Sequence, residues 1–126
     1  MAFTAFNSDR TLHTASEQIE FDGVETNVGG HFNASTFTCP VDGLYVFSFA
    51  ILGDYNYNTE VSLRLDGHVV VSGKADRYNN YPHGSNLAVV SCDVGQEVYL
   101  QCEFSGYMYS DEFRYVTFSG FLLSEN

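Results

Sequence analysis

Tyrosine is concentrated in three short segments that separate β-rich runs of the sequence, 53–59, 76–86 and 105–113. These segments also carry Asn, Asp and Arg, a mixture typical of loops that recognise sugars or proteins. A tyrosine ring stacks on the C–H face of a pyranose, while amide and carboxylate groups bind its hydroxyls. The predicted ligand-binding residues are Tyr55, Tyr57, Asn58, Arg77, Tyr78, Tyr81, Tyr107 and Tyr109. Because Asn and Asp are also ordinary turn formers, the alternative is a set of loops that pack only on one another.

Charged residues in and beside these segments suggest two further kinds of ligand. Ca²⁺ prefers carboxylate and carbonyl oxygens, and no cofactor beyond such an ion is expected. The predicted metal ligands are Asp54, Asp76, Asp111 and Glu112. They do not form a calcium loop of the type D-x-D-x-D-G, so solvated surface carboxylates are the alternative. Arg10, Arg77 and Arg114 are expected either to bind an anionic group, such as sialic acid or a phosphate-bearing glycan, or to neutralise neighbouring carboxylates.

The overall composition excludes several classes of protein. The chain has 126 residues and a net charge of −11, from 16 acidic and 5 basic residues. Five scattered cations cannot follow a nucleic-acid backbone, so neither nucleic acid nor an anionic membrane is an expected partner. No run approaches the length of a membrane helix, and residues 1–10 do not resemble a signal peptide. We therefore expect one domain over residues 1–126, either cytosolic or the mature form of a secreted chain.

Catalytic motifs are absent from the sequence. The four histidines have neither H-x-x-x-H nor H-E-x-x-H spacing, and there is no G-x-S-x-G motif. The run at 69–74 lacks the glycines of a phosphate-binding loop. An enzyme is therefore not expected.

Short β-rich runs separated by turn residues predict an all-β fold. The predicted strands are 2–6, 18–21, 35–39, 43–52, 59–66, 67–73, 86–92, 96–104 and 114–123. Asp66-Gly67 joins two of them and is a strong hairpin signal. About nine strands in a chain of this length favour a β-sandwich or a jelly roll.

Two of these strands are apolar on both faces. In 43–52, Tyr45 and Phe47 alternate with smaller residues such as Val46, and the run 115–123 is apolar at both parities. A strand with one face in water should alternate apolar and polar residues instead. We predict that the second face packs on other copies of the chain, with aromatic ends covered by loops as the alternative.

Three cysteines leave at least one unpaired within the chain. Strand parity places Cys39, Cys92 and Cys102 in the interior, where a free thiol behaves as a small hydrophobe. Buried free thiols are the first expectation. Cys39–Cys102 and Cys92–Cys102 are the disulfides considered as alternatives.

The spacing of aromatic residues in the first half of the chain resembles the globular C1q-domain family, within the C1q and tumour-necrosis-factor-like superfamily. The matching residues, in order, are Phe21, Asn27, Phe32, Phe37, Gly43, Tyr45, Phe47 and Phe49. Only the interval between Phe32 and Phe37 departs from the family pattern, by two residues. The runs 2–6, 94–100 and 118–123 resemble the family's opening strand, a later strand entry and its closing strand, with Gln96 where Asp is usual.

This resemblance implies a ten-stranded jelly-roll sandwich of two antiparallel sheets, assembled as a homotrimer. One sheet, containing the strands at 2–6, 43–52, 86–92 and 114–123, would face the threefold axis, with Val46, Ser48 and Ala50 towards neighbouring subunits. The three tyrosine-rich segments and 7–17 would meet at one end. The expected function is that of a secreted, lectin-like pattern-recognition protein of innate immunity that binds glycans or microbial surface polysaccharide. The alternative is a trimeric assembly module or a protein ligand that engages a receptor.

Overall fold

The computed structural model describes residues 1–76 and 80–126, and the fold is all-β. Twelve strands lie within these two ranges. They are β1 (Ala2–Asn7), β2 (Thr11–His13), β3 (Gly23–Val28), β4 (Phe32–Asn33), β5 (Thr36–Thr38), β6 (Gly43–Leu52), β7 (Thr59–Leu65), β8 (His68–Ala75), β9 (His83–Cys92), β10 (Glu97–Cys102), β11 (Gly106–Met108) and β12 (Val116–Glu125). No helix in the described ranges is long and apolar enough to cross a membrane.

Ten of these strands form two antiparallel five-stranded sheets. The β6 sheet has the strand order β3-β1-β12-β6-β9, and the β7 sheet has the order β4-β5-β10-β7-β8. The expected ten-stranded sandwich of two antiparallel sheets is therefore confirmed. The remaining strands, β2 and β11, pair with each other in a small two-stranded sheet, named here the ribbon.

The core lies between the two large sheets and is rich in phenylalanine. Tyr45, Phe47 and Phe118 are completely buried, and the Phe118 ring meets Phe3 edge-on with 4.9 Å between ring centroids. Burying each such side chain stabilises the fold by roughly 1.5–3 kcal/mol. The Tyr45 hydroxyl donates a hydrogen bond of 2.6 Å to the Val41 carbonyl, so its polar atom is satisfied inside the core.

The opposite face of the β6 sheet carries a continuous apolar row. Across the sheet, the row runs Val28, Ala2, Phe121, Val46 and Val89. Phe121 is 46% exposed and Val89 55% exposed, so loops do not cover this face. Ser48 and Ala50 lie farther along β6 on the same face and are small enough to permit close approach of another surface. The two-sided character predicted for the 43–52 strand is therefore present.

The predicted strand at 18–21 is wrong. Residues there run alongside β10, where the Ile19 amide donates to the Leu100 carbonyl at 2.9 Å. Only an isolated bridge, Gln18 with Gln101, forms there, so no ladder develops. Strands β2, β3, β4 and β11 were not predicted, because they are short or mix polar and apolar residues without a clear period.

The cysteines correct a second prediction. Cys39 and Cys92 form a disulfide with Cα atoms 6.5 Å apart, so they are not free thiols, and neither suggested pairing with Cys102 occurs. Cys39 follows β5 and Cys92 ends β9, so the bond joins the two sheets at one end of the sandwich. Cys102 is buried and free. Cys102 is too distant to pair with Cys39 or Cys92. The Cys39 amide donates to the Gln96 carbonyl, so β10 begins beside Cys39, and Cys102 lies where β10 finishes, at the opposite end of the sandwich.

Four connections meet at that opposite end, named here the apex. The Gly53 amide donates to the Pro82 carbonyl at 2.7 Å, and Gly53 also bridges to Met108. The Ser110 hydroxyl donates to the Asn7 carbonyl at 2.6 Å. These contacts join the segments 7–17, 53–59, 76–86 and 105–113, as the jelly-roll order implied.

Candidate functional site

The ribbon gives the apex a surface of its own. Leu12 lies directly opposite Tyr107, and Thr11 lies opposite Met108. Because opposed residues share a face and successive residues alternate, Leu12 and Tyr107 face outward while Met108 faces the core. Met108 is accordingly buried, and Leu12 is exposed.

Arg10, immediately before β2, lies over this outward surface. Its Cζ atom is 3.7 Å from the centroid of the Tyr107 ring, within the range of a cation–π contact. The Tyr57 ring meets Tyr107 edge-on, with centroids 5.7 Å apart. Gly106 permits this approach, because a Cβ at that position would lie 2.7 Å from Tyr57 Cδ1. Arg10, Tyr57 and Tyr107 are together named the ribbon site.

Asp54 holds the guanidinium of Arg10 in place. Arg10 Nε donates a hydrogen bond to Asp54 Oδ2, and the Asp54 side chain is only 11% exposed. This hydrogen bond raises the pKa of Arg10, which stays charged in any case. The Nη1 and Nη2 groups make no hydrogen bond to the described residues. The arrangement therefore offers two oriented donors beside two aromatic rings.

A second group of tyrosines lies elsewhere on the apex. The Tyr81 and Tyr109 rings are 4.9 Å apart, and Tyr109 is 6.3 Å from Tyr115. The Tyr109 hydroxyl donates to Asp111 Oδ2 at 3.0 Å, and this bond raises the pKa of Tyr109. Tyr115 has the same parity as Phe121 in the run that forms β12. The group of Tyr81, Tyr109 and Tyr115, named here the axial cluster, thus adjoins the apolar face of the β6 sheet.

The predicted metal ligands occupy separate environments. Asp54 is paired with Arg10, and Asp111 accepts hydrogen bonds from Tyr109 and from the Phe113 amide. Asp76 and Glu112 are exposed. No group of three or more His, Cys, Asp or Glu suited to a metal is present in residues 1–76 and 80–126. A calcium site at the apex stays a prediction.

The other predicted ligand residues are placed as follows. Tyr55 and Asn58 are exposed on the 53–59 connection. Arg77 and Tyr78 lie outside the described residues. Among the described residues, the predicted tyrosines thus divide by their ring contacts between the ribbon site and the axial cluster, with Tyr55 in neither.

A cleft of about 230 Å³ opens beside the free edge of β2 and was not predicted. Its lining comprises Thr11, Leu12, His13, Thr14, Glu17, Gln18 and Glu20. His13 is buried, and burial lowers the pKa of its imidazole. Its Nε2 has no hydrogen-bond partner among the described residues. The short alternation of Thr11, Leu12 and His13 was the only local sign of this strand.

Comparison with known proteins identifies the family. A model of the C1q domain matches residues 2–123. Caprin-2 of Danio rerio is 35% identical over 130 residues, an alignment that covers 97% of this chain and 14% of that protein. The chain therefore spans about a seventh of the length of this curated relative.

Solved structures show the same fold at lower identity. The globular domain of zebrafish complement 1qA superposes with a TM-score of 0.81 at 21% identity, covering 99% of this chain and 98% of that one. The Eiger TNF of S. frugiperda gives a TM-score of 0.75 at 9% identity, covering 100% and 94%. Domains of the C1q and TNF type form homotrimers, are non-enzymatic modules and are commonly secreted. The sandwich, the aromatic spacing and the family match agree, and the chain belongs to the C1q domain family.

Proposed function

We propose that this C1q domain is a secreted, non-enzymatic recognition module that binds carbohydrate on microbes or cells as a homotrimer. The observation that carries the proposal is the ribbon site. There, a buried carboxylate orients Arg10 over Tyr107, with Tyr57 beside it.

The ribbon site has the chemistry that a sugar ring requires. Tyr57, beside the Tyr107 ring that Arg10 covers, supplies aromatic surface for the C–H face of a pyranose. The Nη groups of Arg10 supply donors for ring hydroxyls, and their orientation is set before the ligand arrives because Nε is bonded to Asp54. Such preorganisation lowers the entropy cost of binding.

The apolar face of the β6 sheet supports the trimer. Phe121, Val46 and Val89 form one continuous row across neighbouring strands, and such patches on soluble proteins mark interaction surfaces. A trimer would present three ribbon sites, so weak single-site binding could combine into stronger overall binding. The disulfide between Cys39 and Cys92 favours an oxidising, extracellular setting.

A second candidate function is that of a protein ligand. Phe113 is 72% exposed at the apex, and its amide is hydrogen-bonded to Asp111 Oδ1 at 2.8 Å. An exposed aromatic side chain on a held loop suits insertion into a pocket of a receptor. We do not assign calcium dependence to either function. The glycan array described next is run with and without Ca²⁺ for this reason.

A glycan array with the purified protein, run with Ca²⁺ and with a chelator, tests the proposal. We expect binding to a defined subset of glycans, and Tyr107→Ala should abolish most of the signal. Tyr81→Ala serves as the matched control, since Tyr81 is also an exposed apical tyrosine but lies in the axial cluster. Absence of glycan binding in both conditions would refute the carbohydrate function and leave the protein-ligand function.

A further inference from the structure

The electrostatics of the ribbon site restrict the kind of sugar it can take. We infer that the ribbon site selects uncharged, hydroxyl-rich rings and discriminates against glycans that carry carboxylates, such as sialylated or uronic-acid glycans. This inference rests on the proposed carbohydrate function and names the ligand class of the same site.

The charge of Arg10 is already compensated inside the protein. Asp54 Oδ2 accepts the hydrogen bond from Arg10 Nε, and the Asp54 side chain is nearly buried, so it cannot turn away into solvent. A ligand carboxylate bound at the Nη groups of Arg10 would therefore lie across the guanidinium from the carboxylate of Asp54. Repulsion from Asp54 would offset the attraction of such a carboxylate to the guanidinium, so the ligand carboxylate would lose its hydration for little net Coulombic gain.

The surroundings add negative charge rather than positive. The cleft beside β2 is lined by Glu17 and Glu20, and the chain as a whole carries a net charge of −11. Two of the other four basic residues are already paired, Arg64 with Glu103 and Arg114 with Glu25. An anionic glycan would approach against this field, whereas a neutral glycan would not be affected by it.

A neutral ring can use every group that the site offers. Neighbouring hydroxyls of the ring accept hydrogen bonds from Arg10 Nη1 and Nη2, and its C–H face packs on Tyr57 beside the covered Tyr107 ring. Leu12 extends the same outward face of the ribbon towards the cleft. There, the Glu17 carboxylate can accept hydrogen bonds from the hydroxyls of the next sugar unit. The other polar side chains of the cleft can donate hydrogen bonds to these hydroxyls or accept them. The site thus discriminates by repelling acidic glycans as well as by attracting neutral ones.

The test compares pairs of glycans that differ only in one acidic group. Sialyllactose is compared with its neutral methyl ester, and a methyl glucoside with the corresponding glucuronide, by calorimetry on the intact protein at low salt. We expect the neutral member of each pair to bind about tenfold or more tightly, because the acidic member loses hydration of its carboxylate without a net Coulombic gain at the site. In Asp54→Asn, the uncompensated guanidinium should reduce or reverse this preference.

Glu25→Gln provides the matched control. Glu25 is paired with Arg114, which lies 3.7 Å over the ring of Phe6, so this change also removes one carboxylate from an arginine that contacts an aromatic ring. Net charge changes equally in the two variants, but the preference should shift only in Asp54→Asn. Where Asp54→Asn fails to fold, a salt titration of the wild type replaces it, and the preference should weaken as salt screens the repulsion.

Two results would overturn the inference while leaving the carbohydrate function intact. One is equal or tighter binding of the acidic glycans by the wild type. The other is a preference that responds to neither Asp54→Asn nor salt. Failure to bind any neutral or acidic glycan would instead refute the carbohydrate function, and this inference with it.

Discussion

Two arginines at the apex make nearly the same contacts in two different settings. Arg10 lies 3.7 Å over Tyr107 and Arg114 lies 3.7 Å over Phe6, and each is paired with a carboxylate. The carboxylate partner of Arg10 is nearly buried, whereas Glu25, the partner of Arg114, is largely exposed. An exposed ion pair contributes little and is easily rearranged, while a buried partner fixes the geometry of the guanidinium.

The location of the rings separates the two regions further. Phe6 pairs with Thr117 across β1 and β12, so it lies on the outward face of the β6 sheet. Tyr107 lies on the ribbon, which belongs to neither large sheet. We therefore propose that the ligand binds at the ribbon site and that the axial cluster, with its neighbour Arg114, contributes to the contact between subunits. Aromatic density alone did not suggest this division, whereas the strands that carry Tyr107 and Phe6 do.

The largest expected effect comes from charging the subunit contact. Phe121→Glu places a carboxylate in the middle of the apolar row, where it would be desolvated on assembly. Light scattering should show a fall from three times the chain mass to the 14.1 kDa of one chain. Leu12→Glu, an equally apolar exposed position on the ribbon, should remain trimeric. An unchanged mass for Phe121→Glu would remove the basis for assigning the β6 sheet to assembly.

The disulfide should affect both regions alike, because it lies at the end of the sandwich away from the apex. Cys92→Ser opens the link between residues 53 positions apart, and we expect a loss of roughly 2–4 kcal/mol in the free energy of unfolding. Denaturant titration measures the loss. At a temperature where the variant remains folded, its glycan affinity and its mass in solution should both be unchanged. Loss of glycan binding with an unchanged mass would contradict the placement of the disulfide away from the apex.

Removing each arginine in turn tests the comparison at the ligand. Arg10→Ala deletes the charge-assisted hydrogen bonds to the sugar, and we expect glycan affinity to fall about tenfold or more. Arg114→Ala should leave affinity within about twofold, because an exposed ion pair of this kind is worth under about 1 kcal/mol. Calorimetry on both variants measures the difference. Equal losses would show that the two regions act together on the ligand.

Acid should weaken the ribbon more than the axial cluster, and this is the smallest expected effect. Burial lowers the pKa of His13 below its ordinary value of 6.5, so the unfolded chain binds a proton more readily than the folded one. The ribbon should therefore lose stability as the pH falls below about 6.5 towards the lowered folded pKa, and should be unaffected above it. Hydrogen exchange of the Leu12 and Tyr107 amides against pH measures this loss. His68→Gln, an exposed histidine on β8, should leave the profile unchanged, and His13→Gln should flatten it.

Much of the fold could be predicted because its signals are local. Alternation in 43–52 placed Tyr45 and Phe47 inside, and both are buried. Asp66-Gly67 predicted the hairpin, and both residues have the positive φ that such a turn requires. The jelly-roll order came from the spacing of aromatic residues that resembles the C1q-domain family, not from any single strand.

What could not be predicted depends on residues that are distant in the chain. Arg10 and Asp54 are 44 positions apart, and nothing in either segment indicates that they pair. Cys39 and Cys92 meet because β5 and β9, in two different sheets, finish at the same end of the sandwich, which parity alone does not show. The ribbon itself consists of two three-residue strands, too short for an alternating pattern to identify.

The central claim is that the ligand binds the ribbon site and not the axial cluster. An NMR titration of the isotope-labelled trimer with a glycan identified on the array tests it most directly. We predict that the Arg10 Nε–H signal and the amides of Leu12 and Tyr107 shift with the ligand, while those of Tyr81 and Tyr115 do not. Shifts confined to Tyr81 and Tyr115 would contradict the account and move the ligand to the threefold axis.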